Sequence, residues 1–275
     1  MPFNVISPED VERGLVGGIM PVFKRWGETP LQALGRLKET VPGLAGVPLS
    51  YAGRLDPLAE GVMLVLCGEA NKERQAYLGL DKEYEFEVLF GLGTDTGDLL
   101  GLITGFSAER PVFSENNLFP VLAALKGPQS FAYPAFSSKA VQGKPLFEWF
   151  KEGRMNEIQI PTIDVVIHGL ELVGVSLVSA ADVAEKTSLA ASLVMGDFRQ
   201  EQILASLDDV LIKNSSMNPD ASFQVAKIRL ACTSGTYVRT LAPRIGAALG
   251  VPSLAYSIRR TRVGDLTEGD IVTGR

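Results

Sequence analysis

A short apolar run, Val62–Leu66, is the feature that most constrains what this chain can fold into. Gly61 and Gly68 bound the run, and a run of this length between glycines predicts a buried β-strand. Asp56-Pro57 precedes it, and Pro57 disfavours helical backbone at Asp56. Asp56 is therefore predicted in a loop at the mouth of the strand, where its carboxylate can face a cleft. Taken alone, the segment is more often an ordinary Asp-Pro turn.

The length and composition fit a globular protein with a full core. The chain has 275 residues, of which 46% are hydrophobic and 21% charged. No apolar run approaches the length of a membrane span, and the first ten residues lack the basic and apolar regions of a secretory signal. We expect a single catalytic domain over residues 1–275, located in the cytoplasm and without contact to membranes.

Cysteine and histidine are too scarce for a metal centre. The two cysteines, Cys67 and Cys232, lie in strand-like apolar contexts and are predicted to be buried thiols rather than a disulfide. His168, the single histidine, is predicted to be a strand residue. This scarcity disfavours zinc and nucleophiles activated by histidine. Any chemistry is expected to rest on carboxylates, lysines, arginines or tyrosines, with no metal and no cofactor.

The charge is unusual for a protein that binds nucleic acid. The formal net charge is −6, whereas phosphate contacts usually require a basic face. The charges are segregated, however, and arginines cluster near the C-terminus, at Arg239, Arg244, Arg259, Arg260 and Arg262. This pattern predicts a basic groove on an acidic body. A solvated surface without a nucleic acid partner is the alternative.

The order of the predicted elements indicates an α+β fold. Thr29-Pro30 predicts a helix start, and residues 82–90 alternate as a half-buried strand with Tyr84 on its apolar face. Residues 129–145 are predicted to be irregular, residues 158–178 to form two strands, and residues 180–213 to be largely helical. Because strands and helices do not alternate regularly, we predict one central mixed sheet flanked by helices.

Several segments in the same order resemble one family, the bacterial tRNA pseudouridine-55 synthases, or TruB family. The loop around Asp56 resembles the family's catalytic loop, and the segment Cys232–Thr240 resembles its Cys-Ser-x-Gly-Thr-Tyr-Ile-Arg-Thr motif. Further similar segments are Lys24–Thr29, Gly68–Lys72, Lys82–Tyr84 with Gly91–Gly101, Pro134–Glu148 and Arg259-Arg260. Their order from residue 24 to residue 262 makes coincidence improbable.

The resemblance implies a pseudouridine synthase fold, with a mixed and mostly antiparallel sheet, helices and RNA-binding loops. It implies Asp56 as the nucleophile, Tyr84 as the residue that stacks on the target uracil, and Arg239 as the partner of Asp56. Whether Asp56 attacks the base or the sugar stays open. The resemblance also implies substrate-binding roles, which fall on Tyr51, Lys24, Lys72, Tyr237, Ile258 and Arg259. The implied partner is the T-arm of tRNA, bound by a monomer that needs neither metal nor cofactor.

The chain also departs from the family pattern. Tyr51-Ala52 stands where the family has His-Thr, and Arg54 gives a form found in other pseudouridine synthases. A C-terminal PUA-like domain is not expected, and residues of about 180–215 are expected to form an insert. Two alternatives to isomerisation of uridine 55 stay open. One is the same chemistry on another uridine or RNA; the other is a non-catalytic RNA-binding, chaperone or interaction protein.

Overall fold

Thirteen β-strands and eight α-helices make up the part of the chain that the computed structural model describes, which is residues 4–109, 111–215 and 222–271. The strands are β1 (Gly18–Lys24), β2 (Leu49–Ala52), β3 (Ala59–Cys67), β4 (Lys82–Phe90), β5 (Leu92–Thr94), β6 (Ile103–Phe106), β7 (Gly127–Ala132), β8 (Ala140–Val141), β9 (Lys144–Pro145), β10 (Thr162–Ser179), β11 (Ser222–Cys232), β12 (Ser253–Val263) and β13 (Leu266–Thr267). The helices are α1 (Pro8–Glu12), α2 (Pro30–Thr40), α3 (Arg74–Leu78), α4 (Glu115–Ala124), α5 (Leu146–Lys151), α6 (Ala180–Leu193), α7 (Gln200–Ser215) and α8 (Val238–Ala248).

Nine of these strands form one central sheet. The order across it is β1–β3–β12–β4–β11–β10–β7, with β2 also paired to β3 and β13 to β12. The pair β12–β3 is parallel, whereas β12–β4, β4–β11, β11–β10, β10–β7 and β1–β3 are antiparallel. The predicted α+β class with a mixed, mostly antiparallel sheet is confirmed.

Helices pack on both faces of the sheet because its central strands are apolar along one face and at one end of the other. On one face, Phe86 and Ile228 pack with Leu118 of α4 and Leu241 of α8. On the other face, apolar residues of β4, β11 and β12 pack against α6 and α7. The sheet therefore has helices on both faces, and charged residues such as Glu85 and Arg229 occupy the part of the second face that the helices leave open.

The elements with the clearest patterns form as predicted. Thr29 caps α2, and its hydroxyl accepts from the backbone N–H of Gln32, which returns a side-chain contact to the N–H of Thr29. The apolar run Val62–Leu66 lies in β3 and is fully buried. Both cysteines are free and buried, and burial raises the pKa of each thiol to about 11.

Two predictions about the middle of the chain are wrong. Residues 127–132, whose larger part was predicted to be irregular, form the edge strand β7, which pairs with β10 and buries Phe131. Two strands are predicted over 158–178, but residues 158–161 are not in a strand, and one long strand, β10, runs from residue 162 to residue 179. The register of β10 against β11 shifts before Gly169 and again before Gly174. These bulges break the alternation of side chains that a sequence pattern detects, yet they keep the strand continuous.

Candidate active site

The loop that joins β2 to β3 carries Asp56, and a buried lysine holds its backbone. Lys24 on β1 donates from Nζ to the carbonyl of Pro57 at 3.1 Å and to that of Ala59 at 2.6 Å. The side chain is fully buried, and this burial lowers the pKa of Lys24 to about 8. The carbonyl oxygens replace the water that the ammonium group loses on burial. In return, the hydrogen bonds from Lys24 hold the backbone of the loop in place.

A buried arginine anchors the same loop from the other side. Arg260 on β12 donates from Nη2 to the carbonyl of Gly53 at 3.0 Å and from Nε to that of Val62 at 2.7 Å. Gly61 lies directly against the backbone of Arg260, where a Cβ atom would fall 2.2 Å from the carbonyl oxygen, and its φ is +108°. A glycine is required at this position, since it permits both the close approach and the left-handed backbone.

Arg239 orients the carboxylate of Asp56. It lies in the first turn of α8 and is buried, and its Nε donates to Oδ2 of Asp56 at 2.7 Å. Its Nη1 donates to the carbonyl of Thr96 at 2.6 Å and its Nη2 to the carbonyl of Phe136. Each of the three guanidinium nitrogens therefore donates a hydrogen bond, and together these bonds fix the plane of the group and the position of the carboxylate.

A second carboxylate lies next to this pair. Burial raises the pKa of Asp98, and the charge of Asp56 raises it further, whereas Arg239 lowers it. Thr96 and the N–H of Leu100 donate to Oδ1 of Asp98 at 2.8 and 3.0 Å. Burial acts to lower the pKa of Arg239, but the two carboxylates outweigh it and raise that pKa above its usual value. Arg239 is therefore positively charged throughout the neutral range.

Tyr84 and Ile258 come from neighbouring strands and line the cleft in front of Asp56. Burial raises the pKa of Tyr84, and the guanidinium of Arg260 opposes that effect, so the phenol is protonated at neutral pH. Lys82, two residues before Tyr84, donates to the carbonyls of Leu78 and Leu80. The floor of the cleft thus combines an aromatic ring, an aliphatic side chain and cations satisfied by backbone carbonyls.

The cleft has a volume of about 890 Å³ and an aromatic rim. Tyr51, Tyr133, Phe136 and Tyr237 lie along it. The rings of Tyr133 and Tyr237 meet edge to face with centroids 5.9 Å apart, and burial raises the pKa of Tyr237. Aromatic faces around a cleft of this size suit a planar base taken out of its stack.

Six of the nine residues singled out from the sequence lie together in this cleft. They are Tyr51, Asp56, Tyr84, Tyr237, Arg239 and Ile258. Asp56 and Arg239 are 183 residues apart in sequence and form a direct ion pair. Their roles in substrate binding and chemistry stay predictions, to which the geometry gives a common location.

The other three predicted residues lie elsewhere. Lys24 is fully buried behind the loop and is not among the residues that line the cleft, and its contact with substrate stays a prediction. Arg259 points to the opposite face of the sheet, where it pairs with Glu268, because successive residues of a strand alternate between faces. Its neighbour Arg260 is the one that reaches the cleft. Lys72 is exposed outside the cleft and pairs with Glu69 at 2.5 Å, and its contact with RNA stays a prediction.

Several cleft residues escaped the prediction from sequence. Arg260 and Asp98 belong to segments that the resemblance includes, and the paired arginines were the signal for Arg260. Lys82 begins the alternating strand over residues 82–90, and that pattern does not mark it as a residue of the cleft. Arg199 lies within the predicted insert and lines the cleft with Asp197 and Phe198. No local pattern marks Arg199, since its partner Asp95 is 104 residues away.

Metal-binding groups do not cluster in the described ranges: no set of three or more histidine, cysteine, aspartate or glutamate side chains there has the geometry to hold a metal ion. His168 instead contacts Asp81, with 3.1 Å between Nε2 and Oδ2, and both side chains are about half exposed. Among the helices that the structure describes, none combines the length and apolar character needed to cross a bilayer.

The fold is similar to that of several solved structures. The chain superposes with a TM-score of 0.57 on a chain of "Crystal Structure of a Cbf5-Nop10-Gar1 Complex", at 18% identity, covering 97% of this chain and 55% of that one. A chain of "Structure of H/ACA RNP bound to a substrate RNA containing 2'-deoxyuridine" gives 0.53 at 17% identity, with 98% and 55% covered. At these identities the likeness shows the fold alone.

The sequence comparisons add the class of protein. The model of the N-terminal domain of TruB family pseudouridylate synthases matches residues 48–188, a span that contains Asp56 and Tyr84. The chain is 31% identical over 263 residues to the tRNA pseudouridine synthase B of Aromatoleum aromaticum, covering 95% of this chain and 68% of that protein. It is 31% identical over 257 residues to the protein of the same name from Bordetella avium, covering 93% and 84%. The chain is therefore a pseudouridine synthase, an isomerase. Within that class it belongs to the TruB family.

Proposed function

We propose that this chain converts uridine to pseudouridine in tRNA, with Asp56 as the nucleophile and uridine 55 of the T-loop as the target. The observation that carries the proposal is the ion pair between Asp56 and buried Arg239, held at 2.7 Å in a cleft that also contains Tyr84. The side chain of Asp56 is 33% exposed, so its carboxylate is oriented from below and open to the cleft.

The reaction balances without any added group. The bond between N1 of uracil and C1′ of ribose breaks, the base turns over, and a bond forms between C5 and C1′. The proton on C5 leaves and N1 gains a proton, so product and substrate have the same composition. Asp56 forms a transient covalent bond to the nucleoside and is released when the carbon bond is complete. Arg239 holds the carboxylate in position for attack through the hydrogen bond from its Nε to Oδ2 of Asp56.

The walls of the cleft suit a flipped uracil. Tyr84 offers its ring as a stacking face, and Ile258, whose strand is paired with that of Tyr84, adds an apolar contact. Tyr51 and Tyr237 extend the aromatic surface toward the flanking nucleotides. Because Tyr84 is a neutral phenol at neutral pH, it can also take part in proton transfer at the base.

The choice of RNA rests on the relatives and on the T-loop resemblance. The similar proteins from Aromatoleum aromaticum and Bordetella avium are named as tRNA pseudouridine synthases. Tyr51 occupies the position of the family's histidine beside the flipped nucleotide, and it lines the cleft here. We further propose that the chain acts on the T-arm as a monomer, as a single catalytic domain with α6 and α7 as an insert, in the cytoplasm.

The proposal is tested with an unmodified tRNA transcript. After incubation with purified protein, pseudouridine is mapped by carbodiimide labelling and primer extension. A stop at the T-loop uridine is the expected result. A stop at another uridine would refute the target but not the reaction. No stop on this transcript or on total RNA would refute the enzymatic proposal and favour a non-catalytic RNA-binding role.

The nucleophile is tested with a matched pair of variants. Asp56→Asn is expected to abolish turnover while the dissociation constant for the transcript stays within about twofold, because the amide keeps the shape but is not nucleophilic. Asp164→Asn makes the same change at an exposed position of β10 and is expected to leave turnover unchanged. Turnover by Asp56→Asn comparable to that of Asp164→Asn would exclude Asp56 as the nucleophile.

A further inference from the structure

The loop between α6 and α7 places Arg199 in the wall of the active-site cleft. Arg199 Nη1 donates to Oδ2 of Asp95 at 2.7 Å and Nη2 to Oδ1 at 3.1 Å, which is a bidentate pair. The same guanidinium lies over the ring of Phe136, with 4.6 Å from Cζ to the ring centroid. The side chains of Arg199 and Asp95 are 17% and 14% exposed, so the pair is largely withdrawn from water.

These two partners belong to the segments that hold Arg239. Asp95 directly precedes Thr96, whose carbonyl accepts from Nη1 of Arg239 at 2.6 Å. The carbonyl of Phe136 itself accepts from Nη2 of Arg239. Arg199 thus binds, through side chains, the two stretches of backbone whose carbonyls fix the guanidinium that orients Asp56.

The backbone of Arg199 supports a dedicated role. Its φ is +61°, a left-handed conformation that a residue with a Cβ atom seldom adopts. In the described ranges, the other non-glycine residue with positive φ is Gln142, which lies in the tight turn between β8 and β9. Strain of this kind persists where the surrounding structure fixes it, and here Gln200 donates to the carbonyls of Val194 and Gly196 within the same loop.

We infer that Arg199 is a positioning residue for the isomerisation, one that acts through Asp95 and Phe136 on Arg239 and so on Asp56. The inference rests on the proposed function, in which Asp56 is the nucleophile. The predicted insert would then contribute to the active site, because its residue Arg199 contacts both segments whose carbonyls accept hydrogen bonds from Arg239. Arg199 does not touch the reacting atoms.

The geometry separates this role from RNA binding. The edge of the Arg199 guanidinium that carries Nη1 and Nη2 faces the carboxylate of Asp95, and its plane faces the ring of Phe136, so its charge is already paired within the protein rather than with a phosphate. Loss of Arg199 should therefore lower the rate of the chemical step. The affinity for RNA should not change.

The first test compares two variants that each remove one arginine paired with a carboxylate and stacked on a ring. Arg199→Ala is expected to lower the single-turnover rate at saturating tRNA transcript by about tenfold or more, with the dissociation constant within about twofold of wild type. The control is Arg154→Ala, because Arg154 also pairs with a carboxylate, that of Glu157, and lies over a ring, that of Trp149, but is not among the residues that line the cleft. It should keep the wild-type rate. An unchanged rate for Arg199→Ala, or a loss that lies in the dissociation constant, would overturn the inference.

Coupling between the two partners gives a second test. Asp95→Asn removes the carboxylate that Arg199 holds, and the double variant with Arg199→Ala should be no slower than the slower single variant, because both changes break one connection. Rate losses that multiply in the double variant would show independent roles and contradict the inference. If Arg199→Ala does not fold, Arg199→Met keeps the packing on Phe136 without the charge and is measured in its place.

A third measurement does not depend on activity. The Nε–H signal of Arg239 in a ¹⁵N-correlated spectrum, assigned by its loss in Arg239→Lys, reports the bond to Asp56. It should shift or broaden in Arg199→Ala and stay in place in Arg154→Ala. An unmoved signal refutes the positioning role whatever the activity. A moved signal in a protein that makes no pseudouridine refutes the proposed function and leaves the structural link intact.

Discussion

The buried ammonium group of Lys24 gives the sharpest prediction about stability. Lys24→Met keeps a long unbranched side chain and removes the charge that donates to the carbonyls of Arg25, Pro57 and Ala59. The absolute change in the free energy of unfolding combines lost hydrogen bonds with relief of a buried charge, and these oppose each other. The pH dependence of the free energy of unfolding, compared between wild type and Lys24→Met, isolates the contribution from ionisation of the amine.

The magnitude follows from the pKa of Lys24, which burial lowers from 10.5 to about 8. The unfolded chain therefore binds a proton that the folded protein has lost between these two values, so stability rises with pH across that window. The whole difference corresponds to about 3.4 kcal/mol in the free energy of unfolding. Between about pH 7 and about pH 9 the free energy of unfolding rises by about 1.3 kcal/mol through this group.

Urea unfolding at these two pH values measures the effect, followed by tryptophan fluorescence or circular dichroism. Wild type should gain about 1.3 kcal/mol more than Lys24→Met when the pH rises, because other titrating groups are shared and cancel in the comparison. Lys38→Met, at an exposed position of α2, controls for loss of a positive charge. Equal pH dependence in wild type and Lys24→Met would show that Lys24 is not a desolvated cation and would refute the reasoning.

Two further predictions concern one glycine and one exposed lysine. Gly61→Ala should lower the free energy of unfolding by about 3 kcal/mol or more, since its Cβ would meet the carbonyl of Arg260 at a positive φ. Gly174→Ala in β10, with no atom within 4 Å of the added carbon, should change it by less than about 1 kcal/mol, and comparable losses in urea unfolding would contradict the argument. Lys72→Ala should weaken RNA binding and reduce the salt dependence by about one phosphate contact, without changing the rate at saturating RNA. A changed rate with unchanged binding would exclude that role.

The sequence predicted the elements whose signals are local. The apolar run Val62–Leu66 became a buried strand, the Thr29-Pro30 pair began a helix, and the alternation around Tyr84 marked the strand that faces the cleft. Each signal depends on residues a few positions apart, so it can be recognised in the sequence without knowledge of the fold. The start of the long strand β10 was missed because the polar residues Thr162 and Asp164 interrupt the apolar pattern, and a separate strand was wrongly predicted at residues 158–161.

The site was predictable only where motifs could be combined. Arg239 alone has the pattern of a surface helix residue, and its burial against Asp56 follows from packing between segments 183 residues apart. The distinction between Arg259 and Arg260 depends on which face of β12 meets the cleft, and a pair of adjacent arginines cannot reveal it. The place of Arg199 in the cleft depends on its contact with Asp95, which joins the loop between α6 and α7 to the loop after β5 and which no sequence period encodes.

The position of β12 in the sheet has a consequence for the order of events during synthesis. This strand lies between β3 and β4, and Arg260 on it holds the carbonyls of Gly53 and Val62, residues made about two hundred positions earlier. A nascent chain that ends before β12 therefore lacks both the strand that joins β3 to β4 and these anchors of the loop that carries Asp56. We expect tRNA-modifying activity to appear late, after the ribosome has released residues 253–263, and nascent chains to be inactive.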